Sequence, residues 1–237
     1  MKVGSSRSRA ENEMLAEMLT ELENRKKYNQ INNFFADGGP HPREQYHKHL
    51  EFFSDGNQYR ERLLMAANRV GKTICGGYES AVHLTGDYPH WWEGRRFDRP
   101  ISMWAAGITN ETTRDVVQFT MMGAFNDIGT GMIPRDKIAS STNKRGVAQA
   151  IETVRVNHAS GGESVLGFKS YNQGRDTFQG TSKDIIWLDE EAPFDVYNEC
   201  LIRTATTNGL IYTTFTPLMG LSEMVMSFLP DMQAKVD

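Results

Sequence analysis

The chain has 237 residues, 39% of them hydrophobic and 24% charged, which describes a folded protein with room for one large α/β domain and excludes disordered and collagen-like classes. At a formal charge of −4, nonspecific nucleic-acid binding through overall charge is not expected, so any DNA contact must come from a local basic patch. The longest apolar runs, "LLMAA" and "IIWL", fall far short of the roughly 20 residues that cross a bilayer, and the N-terminus lacks the apolar stretch of a signal peptide; no membrane partner is expected, and a cytosolic location is.

Residues 9–35 place Met14, Leu15, Met18, Leu19 and Leu22 at the three-to-four spacing of an amphipathic helix, which predicts an N-terminal helical arm. "ADGGPHP" breaks it, and "REQYHKHLEFF" resumes as a short helix before "SDGNQ" turns the chain. From residue 59 onward short apolar strands alternate with helical patterns: "RLLMAA" with "KTICGGYESAVHL", "ISMWAAG" with "NETTRDVVQFTMM", "DIIWLDE" with "PFDVYNECLI", "LIYTTFT" with "SEMVMSFL". That alternation predicts β-α units around a mostly parallel sheet flanked by helices. The stretch 123–150 shows no periodicity and is expected to be an insertion or loop, whereas "ETVRVNH" and "SVLGFKS" alternate with period two around "ASGGE", as a β-hairpin does. Cys75 and Cys200 are the only cysteines and lie in apolar-patterned segments, so both are expected to be reduced packing residues.

The segment Ala66, Ala67, Asn68, Arg69, Val70, Gly71, Lys72, Thr73, Ile74 carries the first chemistry. A phosphate-binding loop needs backbone N–H groups turned inward, a lysine that reaches the β and γ phosphates, and a hydroxyl for Mg²⁺. Gly71, Lys72 and Thr73 end that pattern, with a predicted strand before and a helix after whose N-terminus favours an anion. The full pattern opens on glycine where this chain has Ala66, so the opening turn must avoid a left-handed backbone.

"KDIIWLDEEAP" carries the second. In P-loop enzymes with an extra catalytic carboxylate, an apolar strand delivers an aspartate to Mg²⁺ and the next glutamate polarises the attacking water. Asp189 then serves the metal with Thr73, and Glu190 is the base; Glu191 has the same chemistry and points in another direction.

With "ANRVGKT", "IIWLDEE" and "TFTPLMG" together, residues 40–229 resemble the N-terminal ATPase domain of the large terminase subunit of tailed bacteriophages. The resemblance implies a P-loop NTPase of the additional-strand catalytic-glutamate class, with ATP and Mg²⁺ as cofactors. It implies an arm and adenine-side segment over 1–58 and an ATPase core over 59–237. Lys72 and Thr73 would serve phosphate and metal, and Thr214 and Thr216 would sense loss of the γ-phosphate. The family carries a glutamine near the adenine; this chain offers Tyr46 and His49 at that place, with His49 either the substitute or an ordinary surface residue. The arginine that neutralises charge on the transferred phosphoryl group is Arg69 in cis, or Arg175 or a neighbour's arginine in trans.

The resemblance further implies translocation of double-stranded DNA into a procapsid within the host cell cytoplasm. The implied partners are the portal protein, the small terminase subunit and other copies of the chain in a ring, a pentamer on the portal. Lys144 and Arg145 are candidates for DNA phosphates on charge alone, against the alternative of a solvated face. No nuclease activity is expected from this chain, because the residues after Thr216 are too few for a ribonuclease H-type domain. Two other functions stay open: a helicase-like ATPase, and a nucleotide-gated binding module without useful turnover.

Overall fold

The structure is a computed structural model that describes residues 9–229; residues 1–8 and 230–237 of the two expected segments lie outside it. In chain order its main elements are helix α1 (Arg9–Tyr28), helix α2 (His47–Asp55), strand β1 (Glu61–Met65), helix α3 (Lys72–Thr85), strand β2 (Ser102–Gly107), strand β3 (Ile138–Asn143), strand β4 (Ile151–Asn157), strand β5 (Glu163–Ser170), strand β6 (Ile185–Asp189), helix α4 (Phe194–Ala205), strand β7 (Leu210–Phe215) and helix α5 (Glu223–Phe228).

The seven strands form one sheet in the order β1-β7-β6-β2-β5-β4-β3. β1, β7, β6, β2 and β5 run parallel, and the hairpin β4–β5 and the edge pair β3–β4 are antiparallel. β7 lies between β1 and β6, so one strand separates the strand that leads into the GKT loop from the strand that ends in Asp189. That insertion is the extra strand of the expected class.

Every residue of β6 and β7 is buried. A parallel strand covered on both faces has no solvent side, which is why "IIWL" and "LIY" are continuous apolar runs rather than alternating ones. Trp187 and Tyr212 face a core shared with Phe52 and Phe53 of α2 and Tyr78 and Val82 of α3. Ile186, Leu188, Ile211 and Phe215 face the opposite core with Val196, Tyr197 and Cys200 of α4 and Met224 and Val225 of α5. Cys75 and Cys200 are both free and fully buried, one in each core.

Two contacts set α3 against the sheet. A Cβ added to Gly76 would collide with the Trp187 indole, so only glycine lets the helix come this close. One turn on, Glu79 accepts from Arg62 of β1 at 2.5 and 3.2 Å, and Arg62 also donates to the Phe52 carbonyl at 2.5 Å. Arg62 thus joins the strand before the loop, the helix after it and α2.

Three segments differ from expectation. The region 123–150, expected to be irregular, contains the short antiparallel pair Gly123–Ala124 and Asp127–Ile128 and the whole of β3. β3 is an edge strand of sequence "IASSTN" with five exposed residues, so it has no apolar face for a periodicity to reveal. Residues 110–122 are helical as expected, but six of them, Thr113–Gln118, form a π-helix between α-helical turns. The arm ends at Tyr28 rather than near 35: a 3₁₀ turn follows at Gln30–Asn33, and Phe34–Ala36 pairs in parallel with His41–Pro42. None of the α1 side chains is buried; its end is fastened by Lys27 and Tyr28 to Asp127 and by Arg135 over the Tyr28 ring at 4.2 Å. Among the described residues no helix is long and apolar enough to cross a membrane.

Candidate active site

The C-terminal ends of β1, β7 and β6 lie side by side, with Met65 paired to Phe215 and Thr214 to Asp189. In parallel sheets this is the edge where loops diverge and ligands bind. From it the 66–71 loop leads into α3, whose N-cap is Gly71 at φ 85° with no side chain capping the first turn. Unsatisfied N–H groups at a helix start, together with the helix dipole, suit an anion. Within this loop the positive-φ residues are Arg69 and Gly71, and Ala66 is not among them. Ala66 instead donates its backbone N–H to the Phe215 carbonyl at 3.3 Å, so its methyl costs the turn nothing.

Residues remote in the sequence meet here. Lys72, 8% exposed, donates to Thr216 Oγ1 and to the Ala67 carbonyl, both at 2.8 Å. Thr216 in turn donates to Asn68 Oδ1 at 2.8 Å. Thr73 Oγ1 lies 3.2 and 3.4 Å from the two oxygens of Asp189, and Thr214 donates to Asp189 Oδ1 at 2.7 Å. Trp187 Nε1 donates to that same Thr214 hydroxyl at 2.9 Å. The two threonines therefore divide the work: Thr216 joins the lysine to the loop, and Thr214 lies beneath the aspartate.

Asp189 is 2% exposed. Burial pushes its pKa up to about 7, the Glu190 charge adds to this, and the Thr214 and Thr73 hydroxyls and the Lys72 ammonium oppose it. Glu190 follows with φ 64°, its N–H donating to the Thr214 carbonyl at 2.9 Å. The Tyr171 hydroxyl donates to the carbonyls of Asp189 at 2.9 Å and Glu190 at 3.3 Å, which fixes the strand end from below. Among the described residues five non-glycines have positive φ, and three of them, Phe35, Arg69 and Glu190, line the two clefts of this site. Strain of roughly 1–3 kcal/mol per such residue concentrates where function holds a side chain in place.

Glu190 and Asp189 open onto a cleft of about 340 Å³ lined also by Asn68, Ile108, Val116 and Leu218. Val116 and Val117 bring the π-helical segment to its wall. On the other side of the loop a pocket of about 290 Å³ is walled by Phe34, Phe35, His41, Tyr46, His49 and Arg69 and closed by Val70, Gly71 and Ile74. His49 is therefore a pocket residue, 9% exposed, rather than a surface one. Burial lowers its pKa against hydrogen bonds with the backbone of Gly71 and Val70.

The candidate arginines do not converge on Glu190. Arg69 lines the ring-walled pocket, and Asn68 takes the place beside Glu190. Arg175 pairs with Glu199 of α4 at 2.9 Å. No arginine lines the Asp189–Glu190 cleft among the described residues. Lys144 and Arg145 sit in the loop joining β3 to β4, where Lys144 donates to Gln173 Oε1 at 3.1 Å.

Sequence reasoning passed over Tyr171, the Trp187 indole and the walls Phe34, Phe35 and His41. Tyr171 follows the hairpin directly, and "FF" lies just before the "ADGGPHP" turn; both signals are aromatic residues at element ends, which composition alone does not separate from ordinary core.

For a divalent cation, the donor set is one buried carboxylate and one hydroxyl, Asp189 and Thr73, within hydrogen-bonding distance of each other. No group of three or more His, Cys, Asp or Glu side chains able to hold a metal exists among the described residues. Hard oxygen donors in this small number fit Mg²⁺, which keeps waters and takes the rest of its shell from substrate phosphates.

The family described as "Terminase large subunit, T4likevirus-type, N-terminal" matches residues 63–236. The large terminase subunit of Salmonella phage P22 is 37% identical over 204 residues, covering 78% of this chain and 41% of its own length. Among solved structures, a large terminase from a thermophilic bacteriophage has a TM-score of 0.47 at 13% identity, covering 81% of this chain and 38% of that one. The same thermophilic phage protein solved in complex with ADP gives a TM-score of 0.46 at 13% identity, with the same shares of the two chains. The chain thus spans about two fifths of the length of these relatives. On the family match and the P22 relative, which cover most of the chain, it belongs to the terminase large-subunit family and corresponds to its N-terminal part.

Proposed function

We propose that this chain is the ATP-hydrolysing part of a motor that packages viral double-stranded DNA. The observation that carries the reading is the pair of hydrogen-bonded chains Lys72–Thr216–Asn68 and Thr73–Asp189–Thr214, which bring the loop and the ends of β6 and β7 together at one strand edge. Lys72 and the first turn of α3 hold the β and γ phosphates. Thr73 and Asp189 would hold Mg²⁺, which, when bound, neutralises charge on the phosphates. Glu190, fixed by the Thr214 carbonyl and Tyr171, takes a proton from a water as its oxygen bonds to the γ-phosphorus; the bond to the β-γ bridging oxygen breaks and ADP carries away that electron pair. Thr216 touches both the lysine and Asn68 in the Glu190 cleft, so loss of the γ-phosphate is felt directly by the segment after β7.

The remaining parts of the proposal follow the family: double-stranded DNA as the moved cargo, portal protein and small terminase subunit as partners, a ring of copies, and the host cytoplasm as the place of work. The test is Mg-dependent ATP turnover of the purified chain with and without double-stranded DNA. Glu190→Gln is expected to bind ATP and to lose about 10²–10⁴-fold in turnover, the range for a general base, and Lys72→Ala to lose most nucleotide binding. Wild-type turnover in Glu190→Gln removes the base assignment.

A further inference from the structure

We propose that the ring-walled pocket does not select adenine over guanine, so that the site takes GTP about as well as ATP. This rests on the nucleotide-site reading and names the base specificity of that site.

The pocket adjoins the loop at Val70, Gly71 and Ile74, where a base must lie if the phosphates occupy the loop. Its walls offer ring faces. Phe34 and His41 stack with centroids 4.8 Å apart and planes 4° apart, and the Tyr46 hydroxyl is tied to His41 Nδ1 at 3.1 Å. Stacking on a π-face tolerates any base. Discrimination must come from the base edge, where adenine presents an amino donor beside N7 and guanine presents two acceptors, O6 and N7. Reading adenine takes an acceptor next to a donor, as a carboxamide provides. None of the pocket's side chains is a carboxamide or carboxylate.

The polar groups that remain favour guanine or neither base. Arg69 lines the pocket, and its guanidinium makes no hydrogen bond or ion pair among the described residues. It is a donor-only fork, the partner that suits guanine O6 and N7. His49, whose pKa burial lowers, lies against the loop backbone at Val70 and Gly71. A site that hydrogen-bonds a defining group rejects the wrong ligand by about 10⁴–10⁵-fold, whereas shape and apolar contact alone give roughly 10–200-fold. Toward adenine this pocket is of the second kind.

The experiment titrates Glu190→Gln with ATP and with GTP, both with Mg²⁺, by calorimetry, and measures kcat/KM of the wild-type chain for each. Dissociation constants within about tenfold of each other are expected, with kcat alike for both. Arg69→Ala, an exposed position, is expected to weaken GTP more than ATP. His49→Gln, which installs a carboxamide, is expected to shift the ratio at least about tenfold toward ATP through KM. GTP binding more than about tenfold weaker than ATP overturns the inference while leaving the nucleotide site intact. Binding of neither nucleotide overturns the nucleotide site itself and the inference with it.

Discussion

Thr214 shows how one hydroxyl can hold a buried strand-end carboxylate in place. It accepts from the Trp187 indole and donates to Asp189, so Thr214→Val leaves a buried N–H unpaired and a buried carboxylate short of a donor. A loss of about 1–3 kcal/mol in stability is expected from the unsatisfied donor, seen as a lower urea midpoint, and Thr214→Ser is expected to recover most of it. Gly76 is the steric counterpart. Gly76→Ala would drive a methyl into Trp187, at a cost of about 1–3 kcal/mol for overpacking, and because α3 starts at Lys72, one turn earlier, nucleotide affinity is expected to fall with it. Unchanged stability by chemical denaturation in that variant would mean that α3 can slide without consequence. Lys72, Thr73, Asp189 and Glu190 were legible in the sequence because phosphate chemistry demands particular residue types at fixed places beside strand ends. Thr214 and Thr216 were legible as members of the candidate site but not in which group each bonds, which depends on which way each faces at the end of β7.

The contact between β1 and α3 is a buried ion pair, and its value depends on both charges being present. Arg62 and Glu79 are 5% and 0% exposed, so Arg62→Met strands a carboxylate in the core and is expected to cost about 3–5 kcal/mol. The double variant Arg62→Met/Glu79→Met is expected to be markedly more stable than the single one, which a pair of thermal melts decides. Burial opposes ionisation of Glu79, yet the Arg62 charge and His83 hold its pKa below the usual carboxylate value. Strand and helix assignments along this axis were readable because buried parallel strands are short apolar runs between turn signals. β3 was not, since an edge strand exposed on both faces has no alternation to detect. The π-helix was equally hidden: it differs from an α-helix in hydrogen-bond register, not in which residues face the core.

Three histidines, His49, His83 and His158, have pKa values lowered first of all by burial. At these rings the unfolded chain therefore binds more protons than the folded one below the ordinary histidine value of about 6.5, and stability rises with pH through that window; Asp189, its pKa raised to about 7, holds a proton in the folded chain over the same window and opposes them, one group against three. The melting temperature is expected to be level above about pH 7 and to fall as the medium is acidified below about 6.5; a melting temperature that rises on acidification would contradict the neutral burial of these rings. Under the proposed phosphoryl transfer, assembly would set a second property of the chain as a unit. With no arginine lining the Glu190 cleft among the described residues, the charge on the transferred phosphoryl group calls for one from outside, worth about 10³–10⁵ in rate where it has been measured in other phosphoryl-transfer enzymes. Turnover per chain is expected to climb with protein concentration, and strictly constant specific activity over a wide dilution series would argue for a donor within the chain.

The indole of Trp187 stands one hydroxyl away from the Asp189 carboxylate and in contact with the helix that follows the GKT loop. That proximity makes it a built-in optical gauge. Emission from this ring should change when the triphosphate is loaded and revert when the product leaves, with no label attached. Trp187→Phe would silence the signal and leave the remaining indoles as the control.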